Sequence, residues 1–390
     1  MAIDVERARR ETPGCGHVVH FNNAGAGLMP QPVLDAVTGH LQREALNGGY
    51  EAAAAAHADV ERVYDAAASL LSCTAGEIAI VENATRAWDM AFYAMRFSAG
   101  DRILTAQSEY ASNYIAYLQI ARATGAKVEA IANDEYGQVS IEALENAIDD
   151  NVKLISMTHV PTNGGLVNPA AEIGRIASSA KIPFLLDACQ SAGQIPLDVA
   201  AIGCDILTAT GRKYLRGPRG TGILYVRQGL IEALDPPFLD LHAAEWTARG
   251  DYTVRGDARR FETWEGNVAG KIGLGVAIDY AAAWGLPEIQ ERVTGLAEAL
   301  RAGLSDLAGV AVRDLGQTRC GIVTFTKEGI SPEEIHAAMA KQSFNMGSSP
   351  RVFTRLDMDA RDLNALARAS VHYYNTEDEI DRFCAAVAAL

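Results

Sequence analysis

None of the six cysteines (Cys15, Cys73, Cys189, Cys204, Cys320 and Cys384) pairs with another as CxxC, and no histidine cluster accompanies them. That argues against a structural zinc site or a disulfide framework and fits a reducing cytosol. No run of Lys and Arg forms a basic patch, and the formal net charge over 390 residues is −15. Polyphosphate backbones and anionic membrane surfaces repel such a chain, so neither nucleic acid nor membrane is an expected partner. The opening MAIDVERARRETPG is charged and lacks an apolar core of signal-peptide length. The most apolar later stretches, 153–158 and 182–186, are strand-sized and too short to cross a bilayer. A cytoplasmic protein is expected. No repeat period appears, and no GxGxxG turn follows the first strand, against an α/β enzyme with a nucleotide cofactor.

What is present is ordinary for a large globular chain: hydrophobic residues make up 49% and charged residues 21%, enough to bury a core without metals or disulfides. An alanine-rich segment, 52–71, predicts a helix. Short β-rich runs at 77–81, 102–105, 127–131, 152–158, 182–187, 205–209 and 222–226 then alternate with amphipathic helical stretches at 85–95, 112–123, 140–148 and 170–180. The pattern predicts an α/β fold: a mostly parallel seven-stranded sheet flanked by helices, with ligands at the carboxyl ends of the strands. Residues 230–265 predict a long, partly irregular connection, and 266–284 and 287–307 predict helices. A smaller α+β unit follows, with 345–364 as a loop. The expected division is a large domain over 15–255 and a small one built from 1–14 and 256–390.

Four segments carry candidate chemistry. In Ala209-Thr210-Gly211-Arg212-Lys213-Tyr214 a lysine follows a strand end in a glycine-rich turn. Glycines let backbone approach a phosphate, and the neighbouring Arg212 disfavours the ammonium form of Lys213. The same run also fits a solvated surface turn. In Phe184-Leu185-Leu186-Asp187-Ala188-Cys189-Gln190 a carboxylate ends an apolar strand; it suits either a helix N-cap or a partner for a pyridine nitrogen. In Glu82-Asn83-Ala84-Thr85-Arg86 a helix begins at small and hydroxyl residues, where its free N–H groups receive a phosphate, with capping by Thr85 the plainer reading. In Leu366-Ala367-Arg368-Ala369-Ser370 an arginine on an apolar strand needs an anion, either a substrate carboxylate or an internal acid. His159 and His372 suit structural roles.

The order and spacing of these motifs resemble the class V members of the fold-type I enzymes that use pyridoxal 5′-phosphate (PLP). That group includes cysteine desulfurases, C–S lyases and isopenicillin N epimerases. The resemblance runs from Phe21-Asn22-Asn23-Ala24-Gly25 to Tyr374-Asn375-Thr376. It implies a Schiff-base lysine at Lys213, a pyridinium partner at Asp187, and Gln190 near the ring hydroxyl. Thr85, Thr210 and Arg212 then contact the phosphate, with Arg86 adjacent. Tyr110 stacks on the ring, and Asn163 or its neighbour Thr162 lies beside the ring hydroxyl. Arg368 binds the carboxylate of a small amino-acid-like substrate. The segment 260–267 resembles a loop inserted by a second subunit, which implies a homodimer with shared sites.

Two departures matter. The stretch 345–355 has no cysteine where desulfurases carry their persulfide acceptor, and Glu265 stands where the family usually has a hydroxyl residue for the phosphate. The expected activity is therefore β-elimination at a C–S bond without a persulfide cysteine. Class V transamination, epimerisation and non-catalytic PLP binding stand as alternatives.

Overall fold

The computed structural model describes residues 3–390. Its larger unit is built on a seven-stranded sheet. In chain order the strands are β1 (Ile78–Val81), β2 (Arg102–Ala106), β3 (Lys127–Ile131), β4 (Val152–Thr158), β5 (Phe184–Asp187), β6 (Ile206–Thr210) and β7 (Gly222–Val226). In space they run β1-β7-β6-β5-β4-β2-β3. Strands β2 to β6 are parallel, while β7 lies antiparallel to both β1 and β6.

Both faces of this sheet are covered, which is why its central strands are buried at every position. On one face Ile103, Leu154, Leu185, Ile206 and Leu224 form a core with Trp88, Phe92 and Tyr117. Those three come from helices α3 (Ala84–Phe92) and α4 (Ala111–Thr124). On the other face Leu104, Ile155, Leu186, Leu207 and Ile223 pack with residues of α2 (His57–Leu71), α5 (Ala170–Ala180) and α6 (Val268–Trp284). Neighbouring residues such as Leu185 and Leu186 thus serve opposite cores, as the two-residue period of a strand requires. Helix α1 (Gln31–Asn47), not anticipated from the sequence, precedes these elements.

The smaller unit is a four-stranded antiparallel sheet of β8 (Val310–Val312), β9 (Ile322–Lys327), β10 (Gly347–Pro350) and β11 (Ala365–Ser370), in the order β8-β9-β11-β10. Helices α7 (Leu286–Ser305) and α8 (Glu377–Ala388) pack on it through Val293, Leu300 and Phe383. The early segment Val19–His20 pairs in parallel with Phe344–Asn345, so residues near the start of the chain belong to this core.

Three local expectations fail for physical reasons. The alanine-rich segment is two helices, Gly49–Ala55 and α2, broken at Ala56 (φ −98°, ψ 14°). The connection 230–265 contains an antiparallel hairpin, Ala244–Ala248 with Asp251–Val254. Its strands are largely exposed, so they show no apolar alternation. The stretch 345–364 contains β10 and a short helix, Arg355–Ala360. Among the described residues, no helix is long and apolar enough to cross a membrane.

Helix α5 approaches the chain at Ile202 so closely that a Cβ on Gly174 would lie 1.9 Å from the Ile202 carbonyl oxygen. Gly174→Ala is expected to destabilise the fold by about 1–3 kcal/mol through overpacking. Urea denaturation should show a lower midpoint at unchanged slope.

Candidate active site

Strand register brings the chemistry together. At the carboxyl edge of the sheet, Thr158 at the end of β4 lies opposite Asp187 at the end of β5, and Asp187 lies opposite Thr208 in β6. Strand β6 ends at Thr210, and the turn that follows carries Lys213. That turn needs glycine, since a Cβ on Gly211 would come within 2.3 Å of Thr221 Oγ1. Gly222 opens β7 against the residue that caps α3, where a Cβ would lie 2.4 Å from the carbonyl carbon of Asn83. Asn83 Oδ1 accepts from the backbone N–H of Arg86 at 2.8 Å. Asn83, Ala84 and Thr85, at the start of α3, line the site, and the first-turn N–H groups of a helix have no intrahelical partner.

The result is a cavity of about 480 Å³ lined by Asn83, Ala84, Thr85, Tyr110, Asn113, Thr158, Val160, Thr162, Asp187, Cys189, Gln190, Thr210, Arg212 and Lys213. Asp187 is buried. Its Oδ1 accepts from the Cys189 N–H at 2.9 Å and its Oδ2 from Asn113 Nδ2 at 3.0 Å. Lys213 is half-buried and lines the cavity, and desolvation lowers the pKa of its amine, with Arg212 a smaller contributor in the same direction. The direction expected from Arg212 holds, and desolvation adds the larger effect. Arg212 itself donates to the Gly25 carbonyl, and burial and then Arg219 lower its pKa. Cys189 is half-buried, and burial followed by the charge of Asp187 pushes its thiol well up. Arg368, on β11, is buried; its Nη1 donates to Thr162 Oγ1, while its Nε has no partner. Gln190 Nε2 donates to the Ala24 carbonyl at 3.1 Å, and its Oε1 is buried without a partner.

Thr85, Tyr110, Asp187, Gln190, Thr210, Arg212 and Lys213 therefore share one cavity. Arg368 reaches it through Thr162. Two candidates are not brought in. The Arg86 guanidinium lies 4.7 Å over the Phe238 ring, and Asn163 is held away by Ser349, whose Oγ donates to its Oδ1 at 2.6 Å. Of the alternatives at 162 and 163, Thr162 lines the cavity. His159 pairs through Nδ1 with Ser191 Oγ at 3.0 Å, and burial pulls its pKa down to about 4. His372 pairs through Nε2 with the Tyr214 carbonyl at 2.9 Å. Both fit the structural role expected for them.

Sequence reading missed Asn113, Cys189 and Glu109. The only local signal was spacing: Glu109 and Asn113 are four residues apart across the start of α4, and Cys189 stands two after Asp187.

The donor set fits PLP. A lysine amine biased toward its neutral form faces the same cavity as a carboxylate at a strand end. Two hydroxyls and a helix N-terminus lie ready for a phosphate. The orphaned Gln190 Oε1 and Arg368 Nε are polar atoms that a bound ligand would satisfy.

The comparisons with known proteins agree. The model for the aminotransferase class-V family matches residues 19–383. A relative described as a probable cysteine desulfurase, from Methanothermobacter thermautotrophicus, is 29% identical over 96% of this chain and 95% of its own length. The apo structure of a cysteine desulfurase from Thermococcus onnurineus superposes with a TM-score of 0.92 at 26% identity, covering 100% of this chain and 98% of the other. A cystine C–S lyase in complex with its product, cysteine persulfide, shares the fold at a TM-score of 0.87 and 23% identity, covering 97% and 99% of the two chains. The fold and the site define a PLP-dependent enzyme. Within that class, this chain belongs to the aminotransferase class-V family.

Lys213→Ala is expected to remove both the visible absorbance of the lysine-bound cofactor and the activity. A variant that kept both, in spectra and assay of the reconstituted protein, would refute the placement of the cofactor.

Proposed function

We propose that the enzyme cleaves the C–S bond of an S-substituted cysteine-like amino acid by β-elimination, without passing sulfur to a cysteine of its own. One observation carries this reading. The segment Gly347–Pro350 and Arg351–Phe353, which approaches the cavity with the Phe353 ring 6.5 Å from that of Tyr110, contains no cysteine. Cys189 does line the cavity, but burial favours its thiol form, which is a poor nucleophile.

When bound, PLP supplies a sink for the electron pair left at Cα. Arg368 anchors the substrate carboxylate, a bidentate partner for a guanidinium whose Nε has none. Lys213 Nζ, biased toward neutrality by burial, takes the Cα proton. Asp187, fixed by Asn113 and the Cys189 N–H, would keep the ring nitrogen charged. Thr85, Thr210 and the first turn of α3 would hold the phosphate, and Tyr110 would pack against the ring. The Cβ–S bond then breaks and its electrons leave on sulfur as thiolate. The same residues also serve epimerisation or transamination, so the products decide among them.

A panel of amino acids tests the reading. An S-substituted cysteine is expected to give a 2-keto acid, ammonia and a thiol in equal amounts, with no added keto acid. Dependence on a keto acid, racemisation without ammonia release, or persulfide on the protein would each overturn it.

The proposal extends to a homodimer in a reducing compartment. All six cysteines are free. Trp246, Trp264 and Tyr50 are 79%, 53% and 73% exposed, and Trp264, Tyr50 and Glu265 line a common cleft. Aromatic side chains clustered in water suit a subunit contact, and Glu265 then meets a partner rather than solvent. Sedimentation is expected to give twice the chain mass, and Trp264→Glu to reduce it to the monomer. A monomeric parent protein would sink the proposal.

A further inference from the structure

We propose that Glu109 is a positioning residue for the cofactor: acting through Asn113, it orients Asp187 and adds a second negative charge behind it, so that two carboxylates hold the ring nitrogen in its charged state. The inference rests on PLP being bound at Lys213 and Asp187, and not on which reaction follows.

The geometry is a relay across the end of the sheet. Glu109 is 3% exposed, one residue before Tyr110 and four before Asn113. Its Oε1 accepts from the Tyr110 N–H at 2.8 Å and from Asn113 Nδ2 at 2.9 Å, and also from the Thr158 hydroxyl. Its Oε2 accepts from the Thr158 N–H at 3.1 Å and from Thr105 Oγ1 at 3.0 Å. The two backbone N–H groups and the Asn113 amide can only donate, so this cage is built for an acceptor on both oxygens. Asn113 Nδ2 has two hydrogens, and its two contacts are one oxygen of Glu109 and Oδ2 of Asp187. A carboxylate at 109 therefore dictates which way the amide points and, through it, which way Asp187 points. The same oxygens tie down the backbone of Tyr110, the residue expected to cover the ring, and of Thr158, which lines the cavity.

The electrostatics run in the same direction. Burial and then the charge of Asp187 raise Glu109 to about 7, against the donors that stabilise its anion. Its ionisable neighbours are Asp187, at the end of β5, and Tyr117, on α4, whose own hydroxyl donates to Ser156 Oγ at 2.7 Å. Two buried carboxylates repel each other unless a cation relieves them. A protonated ring nitrogen against Asp187 supplies that cation. In return the pair stabilises positive charge on the cofactor and on its bond to Lys213.

The test reads the resting holoenzyme, with no substrate. In Glu109→Gln, the pH midpoint at which the visible band of the lysine-bound cofactor changes is expected to fall by about half a unit or more, because a nearby negative charge has been removed. Release of PLP on dilution should become several-fold faster. Asn113→Ala, which leaves Glu109 in place but cuts the relay, is expected to shift both readouts the same way; if Glu109→Gln does not fold, this variant decides alone. Tyr117→Phe disturbs the same buried layer without removing charge. It should lower the melting temperature and leave the midpoint alone. A folded Glu109→Gln or Asn113→Ala variant with the parental midpoint and release rate would overturn the proposal, as would a Tyr117→Phe variant that shifts the midpoint equally. Absence of any visible band in the parent protein would instead refute the cofactor placement itself.

Discussion

Partial burial of Lys213 in the same cavity as Asp187 is the constraint on which the rest of the site depends. A buried ammonium is costly, so the proton equilibrium of that amine shifts toward the neutral base that condenses with an aldehyde. The lysine sits in a turn that packs closely on its neighbours, where Gly211 and Gly222 allow contacts no side chain could tolerate. The buried carboxylates are held by protein donors and not by bulk solvent: Asp187 accepts from the Cys189 N–H and Glu109 from the Tyr110 N–H.

Strand register turns these separate devices into one site. Thr158, Asp187 and Thr208 lie side by side because the pairing register of the parallel strands aligns them across the sheet. The smaller unit contributes Arg368 from a different sheet, and its contact with Thr162 joins the two units at the cavity. Part of this join comes from early in the chain. Gly25 accepts from Arg212 and Ala24 from Gln190, while Val19 and His20 are paired into the small unit. Segments remote in sequence thus meet where the two units join.

The sequence exposed those features whose cause is local. Alternation of apolar runs and amphipathic helices revealed the sheet, because a strand covered on both faces is continuously apolar. Lys213, Asp187, Thr85 and Thr210 were visible because each sits in a short motif at a strand end or helix start. The exposed hairpin at Ala244–Ala248 and Asp251–Val254 was not, since neither face packs on a core and the pattern has nothing to record. Helix α1 was overlooked for a similar reason: of its side chains only Val33 and His40 are buried.

By itself, then, the amino-acid order determined the α/β architecture, through hydrophobic periodicity, and the cofactor class, through the motifs it shares with the class V enzymes. Only the tertiary structure decided that Thr162 and not Asn163 faces the cavity, that Arg86 turns away to Phe238, and that burial more than Arg212 acts on Lys213. It alone revealed that Asn113 bridges Glu109 to Asp187, residues 78 positions apart at its ends (187 − 109). Those outcomes depend on distances between segments remote in sequence and on how deeply each group is withdrawn from water, and neither quantity is written in any local stretch of the chain.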